Sequence, residues 1–294
     1  MNNEFIPHFS WVLVFDFFNS KFILENLILN CITMKIDLKG YKAVVGGATR
    51  GLGLATAQQL AACGASVTLL ARNKEKLEFA KSTLSVSSGQ EHNYLDVDFA
   101  DFDSFKTLTN QFFAGKEVDI LVNNTNGPAA GSVVQKSTED YQEAFDLLFK
   151  TYHHLSHLLL DGMKERGYGR ILNVSSVTVK EPLPNLILSN TMRTAVVSWA
   201  KSLSKEAAPS GITVNTVLTG SFETERIESL IKSQSKETGE DFDDLLHQKQ
   251  QAIPAKRFGK PEEYGYLMAF LASPFAAYIN GASIPIDGGA LNCL

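Results

Sequence analysis

The chain is short of the features that mark most special classes of protein. It has three cysteines, Cys31, Cys63 and Cys293, with neither a CxxC pair nor metal-ligand spacing. That excludes a disulfide framework and a zinc ribbon, and it fits a reducing, cytoplasmic setting. Charge of one sign is never concentrated: 27 Lys and Arg face 32 Asp and Glu, for a formal net charge of −5. Such a balance does not suit nucleic acid as a partner. No uncharged apolar run reaches the ~18 residues needed to span a bilayer. The apolar N-terminal stretch is broken by Asp16, Lys21 and Glu25, and no Lys or Arg precedes its run Phe9 to Phe15, so it is a poor secretion signal too. Internal repeats and low-complexity segments are missing. What remains is 294 residues, 44% hydrophobic and 20% charged, enough for one large α/β domain.

Residues 1–33 read as an extension ahead of a single domain spanning 34–294. Met34-Lys35-Ile36-Asp37-Leu38-Lys39-Gly40 has the pattern of a natural start. A membrane-touching amphipathic helix is the other reading of the leader.

The domain is organised around Gly46-Gly47-Ala48-Thr49-Arg50-Gly51-Leu52-Gly53. An apolar run, Ala43-Val44-Val45, precedes it, and helical spacing from Leu54 to Ala62 follows. Strand, glycine turn and helix in that order suit a dinucleotide. Glycines let the backbone turn sharply and let a pyrophosphate come close, and the helix offers unpaired N–H groups and the positive end of its dipole. The spacing of Gly47, Gly51 and Gly53 is G-xxx-G-x-G, not G-x-G-x-x-G, and a glycine cluster alone is also what a flexible turn looks like.

Strand-like and helix-like segments then alternate, which predicts βαβ units and a doubly wound parallel sheet of Rossmann type, with seven strands and helices on both faces. Strands are expected at 44–45, 66–71, 92–96, 118–122, 170–175, 213–218 and 283–287. Helices are expected at 52–63, from 73 onward, and at 103–113, 141–166, 189–207 and 261–272, with a charged helical insertion at 223–251. The second strand ends in Ala71-Arg72-Asn73, without the carboxylate that binds adenosine ribose hydroxyls in NAD-preferring sites. Arg72 and Arg50 are therefore candidates for a 2′-phosphate, favouring NADP over NAD, unless both are simply solvated surface arginines.

Taken together, these residues resemble the short-chain dehydrogenase/reductases. Gly46 to Gly53 resembles that family's TGxxxGxG turn, with Gly46 in place of Thr. Leu121-Val122-Asn123-Asn124-Thr125-Asn126-Gly127 resembles its NNAG segment, and Gly169 to Ser176 its fifth strand. Asn215 to Gly220 resembles N-x-x-x-P-G with Thr219 for Pro, and Ile286-Asp287-Gly288-Gly289 the terminal strand. In overall pattern the chain is similar to 3-oxoacyl-[acyl-carrier-protein] reductases from Leu38 to Gly289. The resemblance implies cofactor contacts at Gly47, Thr49, Arg50, Gly51, Leu52, Gly53, Arg72, Asp96, Val97, Asn123, Thr125, Arg193, Gly220 and Thr224. It also implies a homodimer or homotetramer built on the helices 141–166 and 189–207, although their apolar residues Leu155, Leu158, Leu159, Val197 and Trp199 equally suit a core.

The family's catalytic set is where the chain departs. Ser176 keeps the serine that orients the substrate oxygen. The tyrosine position falls on Ser189, the lysine on Arg193 and the helical asparagine on Leu148. A serine hydroxyl is a far weaker acid than a phenol of pKa ~10, and arginine stays charged and cannot shuttle protons. Arg193 suits a ribose hydroxyl, an anionic group on a substrate, or a helix-surface salt bridge. Lys180 and Glu181, just after Ser176, are the other candidates to supply a proton, and Tyr152 is expected to pack in the interior. His153 and His157 have i,i+4 metal spacing but no third ligand in view, so no metal is expected.

The sequence thus points to an NADP-dependent reductase of a small-molecule carbonyl or a 3-oxoacyl thioester, with specificity in 128–135 and 221–251. The alternative is a catalytically impaired NADP(H)-binding protein that acts as a sensor or partner subunit. A different reaction on the same scaffold, such as isomerisation or elimination, has no residue that marks it.

Overall fold

Short β-branched and leucine-rich runs pair side by side. They form β1 (Lys42–Gly46), β2 (Ser66–Ala71), β3 (Asn93–Asp96), β4 (Ile120–Asn123), β5 (Gly169–Ser176), β6 (Ile212–Thr219) and β7 (Ser283–Ile286). All pairings are parallel, in the order β3-β2-β1-β4-β5-β6-β7. This computed structural model describes residues 35–293, so both readings of the 1–33 leader lie outside the described residues. Ile36–Leu294 forms one compact unit.

Alternate residues along the strands face opposite layers. Ala43, Val45, Val67 and Leu69 pack with Leu60 and Ala57 of α1 (Gly51–Ala62), Leu77 of α2 (Lys74–Ser82) and Met268 and Leu271 of α9 (Pro261–Ala272). Val44, Leu70, Leu121 and Ile171 pack on the other face. Their partners are Phe105 of α3 (Phe102–Phe113), Leu155 and Leu159 of α5 (Thr151–Arg166) and Ala200 of α6 (Ile187–Ala207). Strand order runs outward from β1 through β2 to β3 and then restarts on the other side of β1 with β4. The crevice at the carboxyl ends of β1 and β4 is therefore the topological switch point, where open α/β sheets bind ligands. It is formed by Gly46–Gly53 and Asn123–Thr125.

Several expected elements change at their ends, each for a local reason. β3 starts at Asn93 because the His92 ring takes up pairing groups itself: Nδ1 accepts from Val67 N–H at 3.1 Å, and Nε2 meets Ser85 O at 2.8 Å. β4 starts late because Asp119 uses its carboxylate on Lys42 N–H (2.8 Å) and Arg166 Nε (3.0 Å). The long helix expected at 141–166 is interrupted. α4 (Thr138–Ala144) passes into a π-helical turn, Phe145–Lys150, before α5. The charged insertion is two helices, α7 (Glu225–Thr238) and α8 (Phe242–Gln251), which share a small core of Ile231, Leu245, Ile253 and Phe258.

Helix α9 clamps α1 against the sheet through Gly265. A Cβ there would lie 2.8 Å from the carbonyl oxygen of Ala55, backbone against backbone. Gly→Ala inside a helix ordinarily stabilises by ~1 kcal/mol. Here we expect Gly265→Ala to destabilise the fold by about 1–3 kcal/mol, the usual range for overpacking. Urea denaturation reads this as a lower midpoint at unchanged slope, and a raised midpoint contradicts the clamp.

Candidate functional site

The glycine turn owes its shape to two different demands. Gly47 and Gly51 adopt φ of +56° and +53°, which favour glycine. Gly46 and Gly53 are glycine because the chain is crowded. A Cβ would lie 2.3 Å from Asn124 O at Gly46, and 2.3 Å from Gly47 O at Gly53. Asn124, at the end of β4, fastens the turn from behind: its Nδ2 donates to Gly46 O at 2.9 Å. Helix α1 then begins with Arg50 at its N-cap, no side-chain cap and no acid in the first turn. Elsewhere Asn73, Asp101, Ser137 and Asp241 cap their helices. The first N–H groups of α1, at Gly51, Leu52 and Gly53, are thus left for an outside acceptor. Turn and helix end together fit the phosphates of a dinucleotide.

Most of the other expected cofactor residues lie at or just past the carboxyl ends of β2, β3, β4 and β6. Arg72 is exposed at the end of β2, and no carboxylate stands beside it in sequence. Arg50 is exposed and forms an ion pair with Glu225, the first residue of α7. Thr224, the N-cap of α7, lies against Gly51, its Cγ2 3.4 Å from where a Cβ on Gly51 would sit. Thr49 is half-buried and Asp96 exposed. Val97 is buried, with its N–H bonded to Ala71 O at 2.8 Å. Thr125 is 7% exposed, and its hydroxyl donates to Asn126 O at 3.2 Å. Gly220 is half-buried and touches the chain after β7, where a Cβ would meet Asp287 Cα at 2.6 Å. Asn123 ends β4. Its side chain is buried and donates to Ser156 Oγ (3.1 Å) and Asn173 Oδ1 (2.9 Å), so it ties β4 to β5 and α5 rather than facing the crevice.

At the catalytic positions, Ser176 ends β5 half-buried. Its Oγ accepts from Thr178 N–H at 3.1 Å, which leaves its own proton free to donate. Ser189 and Arg193 lie one turn apart on α6, and Arg193 Nε donates to Ser189 Oγ at 3.1 Å. Arg193 Nη1 donates to Val174 O at 2.7 Å, and the residue is buried. It is not a helix-surface salt bridge. Leu148, in the π turn, is buried among Ala144, Leu188 and Met192. Where the family resemblance implies an asparagine and a water relay, this chain has hydrocarbon.

Of the remaining proton candidates, Glu181 and Tyr152 are tied up by hydrogen bonds. Glu181 Oε1 accepts the backbone N–H of Asn292 (2.7 Å) and of Cys293 (3.1 Å). These bonds favour its ionised form and lower its pKa, so at neutral pH it is an acceptor with no proton to give. Tyr152 is packed, as expected, and its hydroxyl donates to Val174 O at 3.1 Å. Burial pushes its pKa up, against the pull of the Arg193 charge. Lys180 is exposed. The His153 and His157 rings stack with centroids 5.9 Å apart, and no third possible metal ligand joins them among the described residues.

Sequence reasoning missed Asn124, whose only signal is its place beside Asn123. It also missed the capture of Glu181 by the C-terminal segment, for which the sequence holds no signal. If Asn124 shapes the turn, Asn124→Ala should weaken pyridine-nucleotide binding about tenfold, the worth of one net hydrogen bond. Fluorescence titration measures this, and an unchanged Kd contradicts the role.

Residues 47–290 match the family model described as enoyl-(acyl carrier protein) reductase. A 3-oxoacyl-[acyl-carrier-protein] reductase, FabG, of Haemophilus influenzae is 31% identical over 253 residues, covering 86% of this chain and 98% of the relative. Among solved structures, YwfH, an NADPH-dependent reductase involved in bacilysin biosynthesis, is 29% identical with a TM-score of 0.81, covering 86% of this chain and 99% of its own. L-sorbose reductase of Gluconobacter frateurii, complexed with NADPH and L-sorbose, is 29% identical with a TM-score of 0.83, covering 89% and 100%. Glycine turn, strand order and matched length agree: this chain belongs to the short-chain dehydrogenase/reductase family of oxidoreductases, as a 3-oxoacyl-[acyl-carrier-protein] reductase-like member.

Proposed function

We propose that the chain is an NADPH-dependent reductase of a carbonyl substrate, of which the 3-oxoacyl thioesters named for its relatives are one class to test. The observation that carries this reading is the uncapped N-terminus of α1 on its glycine turn, flanked by Arg50 and Arg72 with no carboxylate at the end of β2. Arg72, with Arg50 released from Glu225, would hold the 2′-phosphate. Gly47 and Gly51–Gly53 would hold the diphosphate, and Thr224 and Gly220 would line the nicotinamide end. Reduced nicotinamide, when bound, supplies a hydride. The chain's own part is to orient the carbonyl oxygen on the Ser176 hydroxyl while that oxygen takes its proton from water. Losing a positioned acid typically costs ~10²–10⁴ in rate, so slow turnover is expected.

The alternative, a protein that binds NADP(H) without turnover, is favoured by one observation: hydrocarbon around Leu148 closes the relay. NADPH oxidation with a panel of ketones and 3-oxoacyl thioesters separates the two. Turnover that Ser176→Ala lowers about 100-fold supports the reductase. Tight NADPH binding with no turnover, and activity gained only in the Ser189→Tyr/Arg193→Lys double variant, supports the silent binder. On either reading, NADPH should bind at least about tenfold more tightly than NADH, as charge-assisted bonds to a phosphate imply, and Arg72→Ala should shrink that ratio. Equal affinity for the two nucleotides contradicts the 2′-phosphate site.

We also infer a homodimer or homotetramer in the cytoplasm. No described helix is long and apolar enough to cross a membrane. Phe149 of the π turn, His153 of α5 and Trp199 of α6 form a partly exposed aromatic strip, with Phe149 and Trp199 centroids 6.0 Å apart. Leu155 and Leu159 are core. Light scattering behind size exclusion should give a dimer or tetramer mass that Trp199→Glu lowers, and a monomeric native protein contradicts this.

A further inference from the structure

Arg193 is a buried cation with no counter-ion. It is 9% exposed. The ion pairs among the described residues are all made elsewhere. Its protein partners, Ser189 Oγ, Val174 O and the Tyr152 hydroxyl, are all neutral. A buried guanidinium is strongly disfavoured unless something compensates its charge. Glu181 follows Ser176 closely in sequence, but its carboxylate is occupied by Asn292 and Cys293.

The orientation of the guanidinium shows where compensation can come from. Its Nη1 is spent on the end of β5. The opposite edge, Nε with Nη2, is the one turned to Ser189, and Nη2 makes no hydrogen bond to the described residues. Ser189 is half-buried, and its oxygen accepts from Nε, while its proton has no acceptor among the described residues. The Ser176 hydroxyl is in the same state, accepting from Thr178 N–H and donating to none of them. Three donors and one positive charge are thus available near the expected substrate position, with no acceptor to match. Ribose hydroxyls cannot balance that charge, since they are neutral. A carboxylate can: it is acceptor-only when ionised, so one oxygen can take the charge-assisted Nη2 donor and the other the Ser189 hydroxyl.

We propose that Arg193 and Ser189 form a carboxylate subsite, and that the preferred substrate is a free oxo acid, with its carboxylate one or two carbons from the carbonyl that Ser176 holds. This rests on the reductase reading above and narrows it, because an ester or thioester lacks the charge. It also gives a reason for serine at position 189: the side chain is small enough to leave room for the anion and still contributes a donor.

The test compares 2-oxobutanoate and 3-oxobutanoate with their methyl esters, by NADPH oxidation on the native protein. At least one acid should show kcat/KM tenfold or more above its ester, with the difference in KM. Arg193→Gln should bring that ratio close to one while the Kd for NADPH moves less than threefold. Because a buried arginine is replaced, Ser189→Ala is the second variant, expected to raise KM for the acid several-fold more than for the ester. Should nothing be reduced, butanoate and butanamide are titrated against the NADPH complex by nucleotide fluorescence. Tighter butanoate binding, lost in Ser189→Ala, supports the subsite even as the reductase reading fails. Esters used as well as acids, butanoate bound no better than butanamide, or an Arg193→Gln effect confined to NADPH affinity would each overturn it.

Discussion

The free amide end of α1 is the constraint on which the rest of this structure depends. Three N–H groups without a cap are tolerable only at a surface or against a ligand. The fold keeps them uncapped and yet fixes them closely. Gly265 of α9 brings that helix onto the backbone of α1, and Asn124 pins the turn that leads into it. The parallel sheet then places this rigid helix end at the switch point between β1 and β4. Binding is thereby assigned to backbone geometry, which substitution elsewhere in the site leaves intact.

That separation explains how the catalytic end can differ so far from the family pattern. Ser189, Arg193 and Leu148 sit on α6 and in the π turn, and none of them supports the glycine turn. Their replacement exchanges one kind of chemistry for another. A phenol steered by a lysine can release a proton, whereas a hydroxyl steered by an arginine can only donate hydrogen bonds beside a fixed charge. Leu148 adds hydrocarbon, packed with Ala144, Leu188 and Met192, at the position of the family's asparagine.

The sheet was legible because parallel strands buried on both faces read as apolar runs, and β2 and α9 have the bounds their patterns imply. The glycine turn was legible because its φ angles and close approaches admit little else. The π turn was not, since a helix pattern from Tyr141 to Arg166 is nearly the same whether one turn is wide or regular. The division of labour between Asn123 and Asn124 was not legible for a related reason. The two share their chemistry, and only the register of β4 decides which of the two amides enters the interior and which holds the turn. The state of Arg193 was out of reach as well, because a lone arginine in a helix equally reads as a surface charge. Its burial depends on Val174 and Tyr152, distant in sequence, coming to the same place.

Hydrogen–deuterium exchange along the backbone, with and without NADPH, addresses the central claim most directly. Uncapped helix-end amides exchange quickly in the free protein. Bound phosphates should slow Gly51, Leu52 and Gly53 more than any comparable helix start, including those capped by Asn73 and Asp101. Exchange at these three amides that stays fast in saturating NADPH, or that is already slow without it, would contradict the account.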